Sequence, residues 1–240
     1  MEKTIKKIGV LGGSFNPPHN DHIRIAEYIR NRLDLDLFLI VPNALPPHKD
    51  TCHVEFSHRR RMLQILTENH SALQISDLEK DPNVPHYTID LIDKIKSEYP
   101  QSTVFFCMGM DSLIYLDKWR NGLDITDKCN IVVIGRKGYS VDDSNPEVKD
   151  YLKTHAVYES DSTFSEKLNE KKGNCFLLKE CFNDVSSSKI RQEFEEYYKT
   201  AEQHMDLAEY ADKFPYSLTY LDRGIIEYIV KNSLYRKRES

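Results

Sequence analysis

Gly12-Gly13-Ser14-Phe15-Asn16-Pro17-Pro18-His19-Asn20-Asp21-His22 follows a short apolar run, Ile8 to Leu11, and precedes a helical pattern that starts near Ile23. An apolar strand, a glycine turn and a helix bring backbone N–H groups to one point. Glycines let the main chain approach an anion closely, and the positive end of the following helix faces the same place. His19 and His22 lie one helical turn apart, so both can face an anion held there. The segment reads as a phosphate site with chemistry attached.

The rest of the chain repeats the strand–helix rhythm. Leu37 to Val41 reads as a buried strand stopped by Pro42, and Ser57 to Asn69 as a helix with Ser57 as N-cap and Met62, Leu63, Ile65 and Leu66 apolar. Leu73 to Ser76 is a short strand, and Thr88 to Glu98 a helix with Leu91, Ile92 and Ile95 inward. Thr103 to Met108, Asn130 to Ile134 and Cys175 to Leu178 are further strands. Near-continuous apolar strands alternating with helices predict an α/β, Rossmann-like doubly wound parallel sheet with helices on both faces. Ligands of such sheets bind beyond the carboxyl ends of the strands. Residues 139–174 are polar and charged, and are expected to form an insertion or lid with a helix near Glu147 to Thr154, within a single domain spanning 1–240. Residues 186–240 read as a small C-terminal helical part, with helices Ser187 to Lys199 and Leu218 to Lys231 and a solvated basic end, Arg236-Lys237-Arg238.

Composition bounds the function class. The 240 residues suffice for a substantial core, and 40% hydrophobic with 30% charged residues describes a globular chain rather than a disordered one. The net charge of −5 argues against a general nucleic-acid binder. No apolar run approaches the ~20 residues of a membrane span, and Met1-Glu2-Lys3-Thr4 lacks the apolar core of a signal peptide. Five cysteines (52, 107, 129, 175, 181) form an odd set without a Cys-x-x-Cys pair, which points to a reducing, cytoplasmic setting. His48, Cys52, His53 and His58 match no zinc module and read as a polar loop, so no metal site is assigned to side chains.

Further segments could meet a phosphorylated ligand. Val185-Ser186-Ser187-Ser188-Lys189-Ile190-Arg191 is a serine-rich helix start followed by two cations, with Arg191 one turn in. Gly109-Met110-Asp111-Ser112-Leu113 follows a strand, and Trp119, the only tryptophan, offers a flat face eight residues beyond Asp111. Pro85-His86-Tyr87-Thr88 opens a helix, where backbone N–H groups suit an anion. One of Arg59, Arg60 and Arg61 is expected to face the phosphates, and Arg136 ends a strand at the same edge of the sheet.

Together these motifs resemble the nucleotidyltransferase superfamily with the signature (His/Thr)-x-Gly-His. The longer form GGSFNPPH resembles the bacterial nicotinate-mononucleotide adenylyltransferases. The similarity runs from about Ile8 to Arg136, resumes at Val185, and includes the ending Ser233-Leu234-Tyr235-Arg236. It implies adenylyl transfer from ATP to nicotinate mononucleotide with Mg2+ accompanying ATP, giving deamido-NAD and pyrophosphate. It implies that His22, His19 and Arg191 are catalytic and that Gly13, Ser14, Phe15, Ser186, Ser187 and Ser188 bind the ATP phosphates. Asn43 and Lys49 of Val41-Pro42-Asn43-Ala44-Leu45-Pro46-Pro47-His48-Lys49, with Tyr87, Thr88, Asp111, Trp119 and Arg136, would bind the acceptor. The partners implied are these small molecules, with neither nucleic acid nor membrane. Asp21 stands where the signature has glycine. Two alternatives stay open: the same chemistry on nicotinamide mononucleotide, phosphopantetheine or a cytidylyl acceptor, and, because of Asp21, a nucleotide-binding regulator without catalysis.

Overall fold

The computed structural model describes residues 5–44, 54–182, 185–200 and 215–236. Seven strands form one parallel sheet in the order β3-β2-β1-β4-β5-β7-β6. They are β1 (Lys7–Gly13), β2 (Leu37–Pro42), β3 (Leu73–Ile75), β4 (Thr103–Gly109), β5 (Asn130–Arg136), β6 (Ala156–Tyr158) and β7 (Cys175–Phe182). The strand order reverses direction at β1, which pairs with β2 on one side and β4 on the other. A crevice therefore opens beyond their carboxyl ends, and β1 ends there in Gly12-Gly13.

Alternation along the strands divides the core in two. Phe38, Ile40, Phe105, Val132 and Phe176 face α1 (Asn20–Arg32), α2 (Phe56–Thr67) and the C-terminal helices, in a cluster with Ile29, Met62, Leu63, Phe194 and Ile226. Ile8, Val10, Leu39, Phe106 and Ile131 point the other way, towards Ile92 and Ile95 of α3 (Thr88–Glu98) and Val148 of α5 (Pro146–His155). Burial on both faces explains why the strands read as continuous apolar runs; all six residues of β2 are buried. The short α4 (Met110–Leu113) and α6 (Phe164–Lys167) complete the connections, and α7 (Ser187–Thr200) leads towards the C-terminal helices.

Several boundaries differ from the sequence expectation. Helix α1 begins at Asn20 with His19 as N-cap, rather than near Ile23, so both histidines belong to its first turn. Glu55, not Ser57, is the N-cap of α2. The helix expected over 218–231 is two, Pro215–Tyr220 and Arg223–Lys231, because the Asp222 carboxylate accepts the Gly224 N–H at 2.7 Å and starts a new helix. The stretch 139–174, expected as an insertion or lid, contains regular elements. It supplies α5, capped by Asn145, whose side chain accepts the Val148 N–H at 2.9 Å, and then β6, the edge strand beside β7. Buried Asn130 ties this segment to the sheet, donating to the Glu170 carbonyl at 2.7 Å and accepting the Asn174 N–H at 3.1 Å.

Candidate active site

The glycine loop after β1 is held from several sides. Phe15 takes a left-handed backbone, φ 47°, and its buried ring packs 3.3 Å from where a Cβ on Gly13 would sit, so a side chain at Gly13 would press on that ring. Arg59, 1% exposed, donates from Nη1 to the Ser14 carbonyl at 2.6 Å, from Nη2 to Ala44 O at 3.1 Å and from Nε to Val54 O at 3.2 Å. Arg191 Nη1 donates to Asn16 O at 2.6 Å, Ser187 Oγ to Pro17 O at 2.9 Å, and the Tyr235 hydroxyl to Asn16 Oδ1 at 2.8 Å. Elements from positions 59, 187–191 and 235 thus converge on one loop.

The two histidines form a unit at the N-terminus of α1. The His19 N–H donates to His22 Nδ1 at 3.0 Å, and the rings stack with centroids 3.7 Å apart. With Nδ1 accepting, the neutral His22 ring carries its proton on Nε2, as a donor. Burial lowers the His22 pKa to about 4, helped by the Arg136 charge and opposed by a hydrogen bond with the His19 backbone. Burial likewise holds His19 well below its ordinary value, with His22 and Arg136 adding to the effect. Both rings are therefore neutral near pH 7. Arg136, expected on the acceptor side, is thus close enough to act on both histidines, and its Nη1 pairs with Asp111 Oδ2 at 2.7 Å. The Asp21 side chain is 3% exposed; Oδ1 meets Arg24 Nη1 at 3.1 Å, while Oδ2 has no hydrogen-bond partner among the described residues. Burial raises the Asp21 pKa against the pull of Arg24.

Two adjoining cavities fill the crevice. The first, about 370 Å³, is lined by Gly13, Ser14, Phe15, His19, His22 and Ser187, together with Asp21, Asp111 and Arg136. The second, about 270 Å³, is lined by Asn43, Tyr87, Thr88 and, unforeseen from sequence, Glu79 and Arg120. Gly12, Gly13 and Trp119 line both, so they meet above the end of β1. Trp119 is half-buried, with its ring edge-on to Phe106 at 6.4 Å.

The remaining candidates lie differently. Arg191, Ser186 and Ser188 flank the first cavity without lining it. Ser188 Oγ accepts from Arg191 Nη2 at 2.9 Å, and the Ser186 N–H donates to Tyr216 Oη at 2.9 Å. Of the three arginines, Arg59 turns inward but binds main-chain carbonyls rather than facing phosphate; Arg60 pairs with Asp77 at 2.7 Å, and Arg61 reaches Gln64 at 3.3 Å. Lys49 lies outside the described residues, as do His48, Cys52 and His53. Among the described residues no group of three or more His, Cys, Asp or Glu could hold a metal. No described helix is long and apolar enough to cross a membrane.

The sequence and the fold both match known proteins. The cytidylyltransferase-like family model matches residues 10–193. A nicotinate-nucleotide adenylyltransferase of Shewanella sp. (strain ANA-3) is 35% identical over 187 residues, covering 78% of this chain and 87% of the relative. That of Shewanella frigidimarina is 30% identical over 230 residues, covering 96% of this chain and 100% of the relative. The fold resembles Plasmodium falciparum nicotinic acid mononucleotide adenylyltransferase complexed with NaAD, with TM-score 0.68, 22% identity and coverage of 96% and 97% of the two chains. The convergence of a strand-end glycine loop, paired histidines and a seven-stranded parallel sheet with these matches assigns the chain to the cytidylyltransferase-like family and, within it, to the nicotinate-nucleotide adenylyltransferases.

Proposed function

We infer that the chain transfers the adenylyl group of ATP to nicotinate mononucleotide, giving nicotinate adenine dinucleotide and pyrophosphate in NAD biosynthesis. The observation that carries this reading is the pair of cavities meeting at Gly12-Gly13, each with a helix N-terminus at its wall: α1 with His19 and His22 at one, α3 with Tyr87 and Thr88 at the other. The first suits a triphosphate; the second suits a smaller anion, the carboxylate on a pyridine ring.

The reaction needs no covalent enzyme intermediate. A phosphate oxygen of the mononucleotide attacks the α-phosphorus of ATP. A new P–O bond forms, the bond from the α-phosphorus to the bridging oxygen breaks, and pyrophosphate leaves. Catalysis is then positioning plus charge neutralisation. His22 donates from Nε2 to the phosphate oxygens, with Nδ1 already fixed by the His19 N–H. Arg136 sets a permanent positive charge beside both histidines. Gly13, Ser14, Phe15 and Ser187 wall the triphosphate. Arg191, Ser186 and Ser188 act from behind, Arg191 by holding the Asn16 carbonyl. Asn43, Tyr87, Thr88 and Trp119 line the second cavity and receive the acceptor, with the pyridine against the indole; Lys49 holds its phosphate, and Asp111, on the wall of the first cavity, meets a ribose.

Nucleotidyl transfer in this family uses a divalent cation with ATP, and magnesium is the ion proposed here. The carboxylates lining the first cavity, Asp21 and Asp111, are each paired with an arginine. The residues present therefore fit an ion held by phosphates and water, which supplies charge neutralisation on the triphosphate. All four described cysteines are free, in keeping with a cytoplasmic enzyme. The test is pyrophosphate release with ATP and magnesium against a panel of acceptors. Turnover with nicotinate mononucleotide is expected. Turnover with phosphopantetheine or a cytidylyl acceptor instead, or none with any acceptor, would overturn the reading.

A further inference from the structure

Among the described residues Glu79 is the one carboxylate on the wall of the second cavity, and none of the roles above uses it. It lies in the loop after β3, tied to the loop after β2 by the Ala44 N–H, which donates to the Glu79 carbonyl at 2.8 Å. The residue is only 5% exposed, yet it lines the cavity with Asn43, Tyr87, Thr88 and Trp119. Neither of its carboxylate oxygens accepts a hydrogen bond from a described residue, and neither is among the buried oxygens sealed from solvent. The carboxylate is therefore not sealed from solvent, and the residue lines the cavity. An anionic ring substituent bound at Tyr87 and Thr88 would share this small space with Glu79.

We propose that Glu79 is the specificity-determining group for the ring substituent of the acceptor, admitting a carboxylate when protonated and favouring a carboxamide when ionised. This rests on the adenylyl-transfer reading above. A neutral carboxylic acid donates a hydrogen bond to a substrate carboxylate, as buried acids in apolar sites can. The ionised form repels that carboxylate but accepts from an amide NH2. Burial pushes the Glu79 pKa up to about 7, Lys94 pulling it down and Asp90 pushing it up. Both forms are thus populated near neutrality in the free protein, and a bound carboxylate draws a proton onto Glu79.

The other charged or titratable groups around it are few. Lys94 of α3 donates to the Leu78 carbonyl at 3.2 Å. Asp90 of α3 is paired with Arg120 at 3.1 Å, and the Arg120 guanidinium lies over the Tyr87 ring at 4.7 Å. His86 contacts the Asp81 carbonyl through Nε2 at 2.7 Å. Of these, His86 also lines the second cavity, so the experiment must separate the two.

The test is kcat/KM for nicotinate mononucleotide and for nicotinamide mononucleotide, with ATP, from pH 6.0 to 8.5, in wild type and Glu79→Gln. The ratio of the two removes every group common to both reactions: the acceptor phosphate, ATP, His19 and His22. With a pKa of about 7, the protonated fraction falls about 30-fold across this range, and the nicotinate-to-nicotinamide ratio is expected to fall at least tenfold. Glu79→Gln is expected to flatten it. A flat ratio in wild type overturns the proposal. So does a slope that survives in Glu79→Gln, which would transfer the effect to His86. Should the variant not fold, calorimetry of wild type near pH 7 in two buffers decides: proton uptake with the nicotinate form must exceed that with the nicotinamide form. Equal uptake overturns the proposal. Loss of turnover with both pyridine nucleotides at every pH would instead refute the function reading, and this proposal with it.

Discussion

Arg59→Met separates the scaffold of the site from its chemistry. Three guanidinium N–H groups reach the carbonyls of Ser14, Ala44 and Val54 at 2.6, 3.1 and 3.2 Å. Hydrogen bonds from a charged donor contribute about 1.5–3 kcal/mol each, so three set an upper bound of about 4.5–9 kcal/mol. Against this, a methionine of similar length removes a charge that is 1% exposed, and replacing a buried charge by an apolar side chain returns several kcal/mol. The net loss expected is about 3 kcal/mol, or roughly 6–12 °C in Tm for a chain of this size. Arg59→Lys discriminates between accounts. It keeps the charge but cannot serve three divergent carbonyls, so it is expected to cost at least as much as Met. Because Arg59 fixes the Ser14 carbonyl, the ATP KM is expected to rise in both variants, more than the acceptor KM. Urea unfolding followed by the fluorescence of Trp119, with steady-state kinetics well below the transition, gives both quantities. A methionine variant within about 1 kcal/mol of wild type with an unchanged ATP KM would refute the clamp, as would full rescue by lysine.

Other perturbations probe the reacting groups. His22→Ala is expected to lower kcat by about 10² or more, the usual effect of losing one transition-state donor, with little change in acceptor KM; near-wild-type kcat would remove it from the mechanism. Trp119→Ala is expected to raise the acceptor KM more than the ATP KM, and a change confined to ATP would end its role as a platform for the pyridine ring. Asp21→Gly removes a buried carboxylate oxygen without a hydrogen-bond partner among the described residues from the wall of the first cavity, so a lower ATP KM with unchanged or higher kcat is expected; lost activity would make Asp21 a working member of the site. Burial holds His22 at about 4 against 6.5, so below pH 6.5 the unfolded chain binds a proton that the folded chain does not. The stability this contributes is present above pH 6.5 and falls away as pH drops towards 4. Urea midpoints should therefore decline over that window, and less steeply in His22→Asn; parallel curves would contradict the neutral assignment.

The legible parts of this molecule are those whose physics is local. Strands β1, β2, β4 and β5 are buried on both faces, so each announces itself as an apolar run. The glycine loop and both histidines are contiguous, and one eleven-residue segment contains them all. What stayed hidden depends on distant partners or on competition between local signals. Strand β6 is three residues long and is a strand only because β7 offers its edge. The break at Asp222 is a contest between an apolar helical pattern and a better cap two residues before Gly224. Arg59, Arg60 and Arg61 are identical letters, and only the surroundings of Ser14, Asp77 and Gln64 tell them apart. Arg191 was legible as a helix-start cation, but its fork meets the Asn16 carbonyl, 175 residues away in sequence. Glu79 sits in no motif; its burial and its exposure to the second cavity arise from the loop after β3 folding against Ala44. A site of this kind is therefore read from sequence through its phosphate-binding backbone. Its choice between two acceptors that differ by one ring substituent is set by a side chain whose ionisation is determined by burial that only the folded chain provides.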